Sequence, residues 1–379
     1  MGRPWTVIEK ESIMPHGPKP RLHTIRAAVL RRPGERLAIE ELELEDPAEN
    51  EVLVRIIASG ICRTDIDFCE YGTSFPVVLG HEGAGVIEQV GKAVTGLRAG
   101  DHVVLSYQSC GQCEACAKDH PADCRHFWEM NFGFARLDGS NAIATKGVHG
   151  NFFGQSSFAT YTLATRRNLI HVNKELPLEL LAPLGCGLQT GAGTVLNSLA
   201  VKATESLATF GTGTVGLAAV MAGRLVGADP IIAVDIVPKR LKLARYLGAT
   251  HCINSRKADV AESILGIAGS GVDHVVESTG NPTLVRLAGE LLNPGGSSAL
   301  LAGGENVDSL PAGRKVLNVI QGDAVPQRFI PYLIKLYQSG RFPFDRLITF
   351  YDFHDINRAI SDVKRGKTIK PVLRIGISS

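Results

Sequence analysis

The sequence predicts an α/β protein of two unlike halves, a β-rich first half and a doubly wound parallel sheet in the second. Three observations carry this. Between Ile25 and about Thr165, short apolar runs are punctuated by Gly, Pro and Asp. From Ser206 onward, strand-like and helix-like segments alternate. A glycine-rich turn, Gly211-Thr-Gly213-Thr214-Val215-Gly216, falls between the first of those strands and the first of those helices. At 379 residues the chain is too long for one ordinary compact core, so two domains are expected.

In the first half, Ala27–Leu30, Val52–Ile57, Gly85–Val90, His102–Leu105 and Phe158–Thr162 have the length and composition of strands, with turns such as Arg98-Ala99-Gly100-Asp101 between them. In the second half, Ser206–Phe210, Pro230–Val234, Asp273–Glu277 and Ser297–Leu301 read as strands. Thr214 to about Val226, Pro238–Leu247 and Pro282–Leu292 read as the intervening helices. That alternation implies right-handed βαβ units and a parallel sheet. After about Val319 come a helix (Val325–Gln338), a helical stretch near Asp355–Arg365 and a last strand (Lys370–Ile375), expected to pack back on the first domain.

Hydrophobic content of 44% and charged content of 21% are ordinary for a soluble globular protein, and a net charge of +2 gives no reason to expect nucleic acid or an anionic membrane as partner. The first 24 residues carry Pro4, Pro15, Pro18 and Pro20 and lack the apolar core of a secretory signal; they read as a loosely held arm that can pack on a partner subunit. No run is long and apolar enough to span a bilayer. The eight cysteines, some of them clustered, then favour metal or catalysis over disulfides, and the expected location is cytoplasmic.

Cys110-x2-Cys113-x2-Cys116-x7-Cys124 places four thiols within fifteen residues, enough to close a tetrahedral zinc site without help from the rest of the chain. A closed site has no open coordination position, so its role is structural. A nucleic-acid knuckle would need basic flanks, and here Glu114, Asp119 and Asp123 stand instead. The spacing is not that of the ferredoxins.

A second set is dispersed. Cys62 follows an expected strand, His81 lies in Gly80-His81-Glu82-Gly83, and Cys186 sits between two glycines at the expected domain boundary. Singly, each is as readily a buried core residue. Two cysteines and a histidine with one open position form a known catalytic zinc arrangement.

The glycine turn has the G-x-G-x-x-G pattern of dinucleotide folds, in which a helix N-terminus receives the pyrophosphate. Asp235 ends the next strand; its carboxylate can accept from ribose hydroxyls and would repel a 2′-phosphate, which favours NAD over NADP. Arg240 is placed to soften that choice.

From Ile25 to the C-terminus the chain resembles the zinc-containing medium-chain dehydrogenase/reductase superfamily. The pieces that carry the resemblance are GICRTD, GHEGAGVIEQVG, CGQCEACAKDHPADC, PLGCGLQTGAG, FGTGTVG and GKTIKPVLRI. FFGQSSFATY, PLGCGLQTGAG and QGDAVPQRFIPYLIKLYQSGRFPFDRLITFY resemble the aryl-alcohol (benzyl alcohol) dehydrogenases and their terpene-alcohol relatives. The resemblance implies an arm at 1–24, a GroES-like catalytic domain at 25–187 completed by 320–379, and a Rossmann NAD-binding domain at 188–319. It implies two zinc ions per chain, a catalytic one on Cys62, His81 and Cys186 and a structural one on the four clustered cysteines. It implies Asp65 as the carboxylate orienting His81, Glu82 as a group able to approach the metal from behind, Arg63 and Lys370 as contacts to the pyrophosphate, and Thr190 against the nicotinamide. Thr64 would accept the alcohol proton.

Relatives carry a histidine where this chain has Asp67, a poorer match to neutral base work, so protons are expected to leave through water with Asp67 as an optional station. The expected reaction is reversible oxidation of an aromatic or allylic alcohol to the aldehyde. Terpene, aliphatic or polyol alcohols are the alternatives, and a non-catalytic scaffold is a third reading. Phe127, Trp128, Phe132, Phe134, Phe152, Phe153 and Phe158 can either wall an apolar pocket or form core. A Gly-flanked apolar strand within Gly313–Asp323 is expected to pair across a two-fold axis, giving a homodimer or homotetramer.

Overall fold

The computed structural model describes residues 21–72, 74–302 and 312–376; most of the expected arm lies outside them. Its last three residues open the first strand. In order, β1 (Leu22–Leu30), β2 (Ala38–Glu45), β3 (Glu51–Gly60), α1 (Arg63–Tyr71), β4 (Val77–Val78), β5 (Glu82–Val90) and β6 (His102–Leu105) lead to the cysteine-rich segment, which carries α2 (Glu114–Ala117) and α3 (Phe127–Phe132). Then come β7 (Tyr161–Thr165), β8 (Leu169–Val172), α4 (Leu178–Leu181) and α5 (Gly187–Gly193).

β3 is the hub of the first half. It pairs antiparallel with β5 and β7 and, at its end, with the chain's last strand. Eight of its ten residues are buried, which is why it reads as a nearly continuous apolar run rather than an alternating one. The strand expected at Phe158–Thr162 lies three residues later. Phe158 is fully buried, its N–H bonds Leu79 O and its carbonyl accepts from Ala28 N, so the segment docks against β1 and the end of β4 before joining β3.

The second half holds β9 (Leu207–Phe210), α6 (Thr214–Val226), β10 (Ile231–Asp235), α7 (Pro238–Leu247), β11 (His251–Asn254), α8 (Val260–Ala268), β12 (Val272–Glu277), α9 (Pro282–Glu290), β13 (Leu292–Leu300) and β14 (Lys315–Asn318). All neighbours in this sheet are parallel, in the order β11-β10-β9-β12-β13-β14. The order in which successive strands are added reverses between β9 and β12, the point where open α/β sheets bind ligands. β11 and α8 were not foreseen: His251–Asn254 is too short and polar to stand out as a strand. β14 ends the sheet, within the segment expected to be an edge.

The chain then returns through α10 (Pro326–Gln338), β15 (Ile348–Asp352), α11 (Ile356–Lys364) and β16 (Lys370–Arg374), and β16 completes the first sheet against Ala58–Gly60. Packing back on the first domain is thus by strand pairing. No helix among the described residues is long and apolar enough to cross a membrane.

Candidate metal and coenzyme site

Cys62 is the N-cap of α1, and Asp65, three residues on, accepts from the Cys62 N–H at 2.9 Å. The same fully buried carboxylate accepts from Gly80 N at 3.0 Å and lies 3.0 Å from His81 Nδ1. One side chain therefore ties the helix start to the strand start and fixes the imidazole. With Nδ1 committed to Asp65, His81 Nε2 is buried and has no partner. Phe153 stacks on the ring at 4.4 Å between centroids.

Cys186, the N-cap of α5, brings its Sγ to 3.9 Å from that of Cys62. One donor atom each from Cys62, His81, Glu82 and Cys186 lies within 4.8 Å of all the others. The hydrogen bond from Cys186, with the nearby His81 and Lys370 cations, holds the Cys62 thiol well below its usual range; the same bond and burial push Cys186 up. Burial opposes charge on His81, yet Asp65 and Cys62 outweigh it and raise its pKa to about 10. A buried histidine nitrogen without a partner, beside two cysteine sulfurs, is a donor set suited to zinc.

Glu82 lies behind this cluster, also fully buried. Its carboxylate fits only because residue 60 is glycine: a Cβ there would meet Glu82 Oε2 at 2.0 Å. Lys370 Nζ lies 2.9 and 2.8 Å from the two carboxylate oxygens and 3.0 Å from Ile61 O. Burial raises the Glu82 pKa to about 6 against the pull of Lys370. Lys370, expected against the pyrophosphate, lies here against Glu82. All three of its N–H donors are spent inside the protein, so in this conformation it serves Glu82 rather than a phosphate.

Thr64 Oγ1 lies 3.8 Å from Cys62 Sγ, half-buried at the edge of the cluster. Arg63 is exposed, and its Nε donates to Asp67 Oδ1 at 2.6 Å. Asp67 is thus an ion-pair partner of Arg63, a role that the sequence did not suggest.

The four clustered cysteines converge as well. Cys110 and Cys116 sulfurs are 3.9 Å apart, Cys113 and Cys124 4.0 Å. Backbone N–H groups of Cys110, Cys113 and Arg125 point at sulfurs at 3.3–3.5 Å, and hydrogen bonds from the Cys116 and then the Arg125 backbone lower the Cys113 pKa to about 6.

At the glycine turn, a Cβ on Gly216 would meet Gly211 O at 1.8 Å, whereas one on Gly213 would meet nothing within 4 Å. The first forces the tight turn; the second leaves the N-terminus of α6 open to a ligand. Asp235 Oδ2 accepts from Thr212 N and Oγ1, both at 2.7 Å, and Oδ1 from Val237 N at 2.8 Å, so the carboxylate is locked beside that turn. Arg240 Nε is buried without a partner. Thr190, on α5, donates to Cys186 O at 2.9 Å and is nearly buried.

The aromatic segment divides. Phe127, Phe134, Phe152, Phe153 and Phe158 are core, and Trp128 is exposed rather than walling a pocket. Trp128, Phe132 and Phe153 nonetheless form successive contacts at 5.2 and 4.9 Å that end on the His81 ring.

Comparison with known proteins gives this geometry its class. A model of the alcohol dehydrogenase GroES-like domain matches residues 48–174, and one of zinc-binding dehydrogenases matches residues 214–325. The chain belongs to the zinc-containing medium-chain dehydrogenase/reductase superfamily, as an alcohol dehydrogenase. A geraniol dehydrogenase of Castellaniella defragrans is 42% identical over 364 residues, covering 92% of this chain and 97% of its own. Two crystal structures are similar: an alcohol dehydrogenase zinc-binding domain protein from Burkholderia ambifaria (TM-score 0.90, 48% identity) and benzyl alcohol dehydrogenase from Acinetobacter calcoaceticus (TM-score 0.89, 43% identity). Each covers 94% of this chain and 100% of its own. Within the superfamily the protein therefore stands near the aryl- and terpene-alcohol dehydrogenases.

Proposed function

We propose that this alcohol dehydrogenase reversibly oxidises a primary aromatic or allylic alcohol to the aldehyde with NAD. In this reading Cys62, His81 and Cys186 hold a catalytic zinc, and Cys110, Cys113, Cys116 and Cys124 hold a structural one. The observation that carries it is the orphaned His81 Nε2 beside two sulfurs 3.9 Å apart, since such a nitrogen is costly to bury unless something binds it. Bound by these residues, the metal would supply Lewis acidity at the alcohol hydroxyl and the nicotinamide would serve as hydride acceptor.

The residues of the chain do the rest. Asp65 holds the His81 tautomer, and Lys370 holds both oxygens of the Glu82 carboxylate. The Thr64 hydroxyl stands where it can take the alcohol proton. Asp67 is engaged by Arg63, which supports a water route for that proton. Gly213 and the start of α6 receive the pyrophosphate, with Arg63 as its cationic contact in this reading.

Two supports favour an unsaturated alcohol. Phe153 lies flat on a proposed ligand ring, with Phe132 against it, an apolar surface leading to the metal position. The relatives named for geraniol and benzyl alcohol act on primary alcohols whose carbinol adjoins an unsaturated carbon. An NAD-reduction screen of benzyl, cinnamyl, geranyl and aliphatic alcohols, with and without a chelator and with NADP alongside, tests the reading. Equal rates on ethanol and benzyl alcohol would overturn the aromatic preference. We further propose a homodimer joined through the edge strand β14; sedimentation showing only monomer at micromolar concentration would overturn that.

A further inference from the structure

Gln321 opens the QGDAVPQRF segment, where the sequence pattern assigns it no role of its own, yet the structure sets it against the sulfur of Cys186. Its Nε2 lies 3.6 Å from Cys186 Sγ, hydrogen-bonding range for so large an acceptor, and the residue is buried. The orientation of the amide is determined by its neighbours. Gly185 O can only accept, so Gln189 must turn its NH2 towards it, at 2.8 Å. That same nitrogen lies 2.9 Å from the other end of the Gln321 amide, which must therefore be oxygen. The NH2 of Gln321 is left facing the sulfur.

The backbone holds this aim under strain. Gln321, Gly322 and Asp323 all have positive φ, at 54°, 65° and 48°, a run that non-glycine residues adopt only when their surroundings compel it. The compulsion is visible. A Cβ on Gly322 would meet Thr190 O at 2.7 Å and Gln189 O at 2.8 Å, and Asn197 Nδ2 donates to Gly322 O at 3.0 Å. Tyr107 fixes the following residue through a hydrogen bond from its hydroxyl to Ala324 O. The turn is thus pressed onto α5, the helix that starts at Cys186.

We propose that Gln321 is a positioning residue for the metal centre: its amide N–H fixes the Cys186 sulfur and draws electron density from it. A thiolate that gives up density to a hydrogen bond donates less to its metal, which leaves the metal a stronger Lewis acid towards the alcohol. The inference rests on the proposed binding of a metal by Cys62, His81 and Cys186.

Cobalt(II)-substituted protein tests it, because thiolate-to-cobalt charge-transfer bands report the electron density on sulfur. In Gln321→Met, close in shape but without the donor, the band moves to longer wavelength and the pH midpoint of kcat moves up. Turnover below that midpoint falls by about tenfold, the lower end for losing a partner of a metal ligand. Gln321→Glu keeps the acceptor for Gln189 and sets a carboxylate against the sulfur; it shifts both readouts the same way and provides the test if the Met variant does not fold. Unmoved bands and an unmoved pH midpoint in either folded variant would overturn the inference, even if turnover fell. Wild-type protein that takes up cobalt without thiolate bands would overturn the metal assignment itself, a separate outcome.

Discussion

Replacing Lys370 by Met removes the only cation that the described structure places on Glu82 (2.8 and 2.9 Å). Both groups are essentially inaccessible, at 2% and 0%. At about 3 Å and an effective dielectric of about 20, their attraction is on the order of 5 kcal/mol. Stranding one partner of a buried pair typically costs about 3–5 kcal/mol, so the two estimates agree. Glu82 already has its pKa raised by burial from 4.5 to about 6, with Lys370 opposing that rise. Losing the ammonium raises it further. A carboxyl whose folded pKa is raised contributes stability fully present below its unfolded pKa and lost as pH rises through the folded value. The variant should therefore lose about 3 kcal/mol or more at pH 8 and much less at pH 5. Glu82→Gln combined with Lys370→Met should recover most of the loss, since no charge is then stranded. Urea unfolding followed by circular dichroism at the two pH values measures all three. Equal losses at both pH values, or no recovery in the double variant, would refute the reasoning.

Three further outcomes are expected. Asp67→Asn frees Arg63 from a solvent-accessible pair worth up to about 1 kcal/mol, so KM for NAD should fall by at most about fivefold with the kcat–pH profile unchanged; a hundredfold loss of turnover with a flattened profile would make Asp67 a proton station instead. Cys124→Ser should drop zinc content from two to one per chain, by atomic absorption, and lower the melting temperature. In metal-free protein, His81, raised from 6.5 to about 10, contributes stability that is fully present below pH 6.5 and fades as pH rises through 10. Melting temperatures scanned over that window should fall in the metal-free form and hold in the zinc-loaded form, where the metal replaces the proton on His81.

Local patterns in the sequence were enough to place many elements. Thr214–Val226 and Pro238–Leu247 are helices at the residues expected, because each starts at a cap or proline and ends at a glycine. The four-cysteine cluster was legible for a similar reason: its ligands lie within one short segment, so spacing alone encodes the geometry. The parallel sheet follows from the alternation of strands and helices, whereas the strand order, with its switch between β9 and β12, comes from the tertiary structure.

What the sequence could not decide was which distant side chains spend their hydrogen bonds on which. Lys370 turned inward to Glu82 and Gln321 reaching Cys186 depend on where strands and turns meet in space. Asp65 beside His81, by contrast, was implied by the family resemblance, and Asp67 meets Arg63 within one helix. Three of these pairs join residues 16, 135 and 288 positions apart. Composition cannot distinguish a lysine that faces a phosphate from one sealed against a carboxylate. The difference lies in a cavity made by Gly60 and closed by β16, and only tertiary packing creates it. By itself, the sequence determined the class of chemistry, because metal-binding and dinucleotide-binding residues must have particular types at particular spacings. The tertiary structure decided how that chemistry is tuned, because buried charges and amides take their meaning from the few atoms within about 3 Å of them.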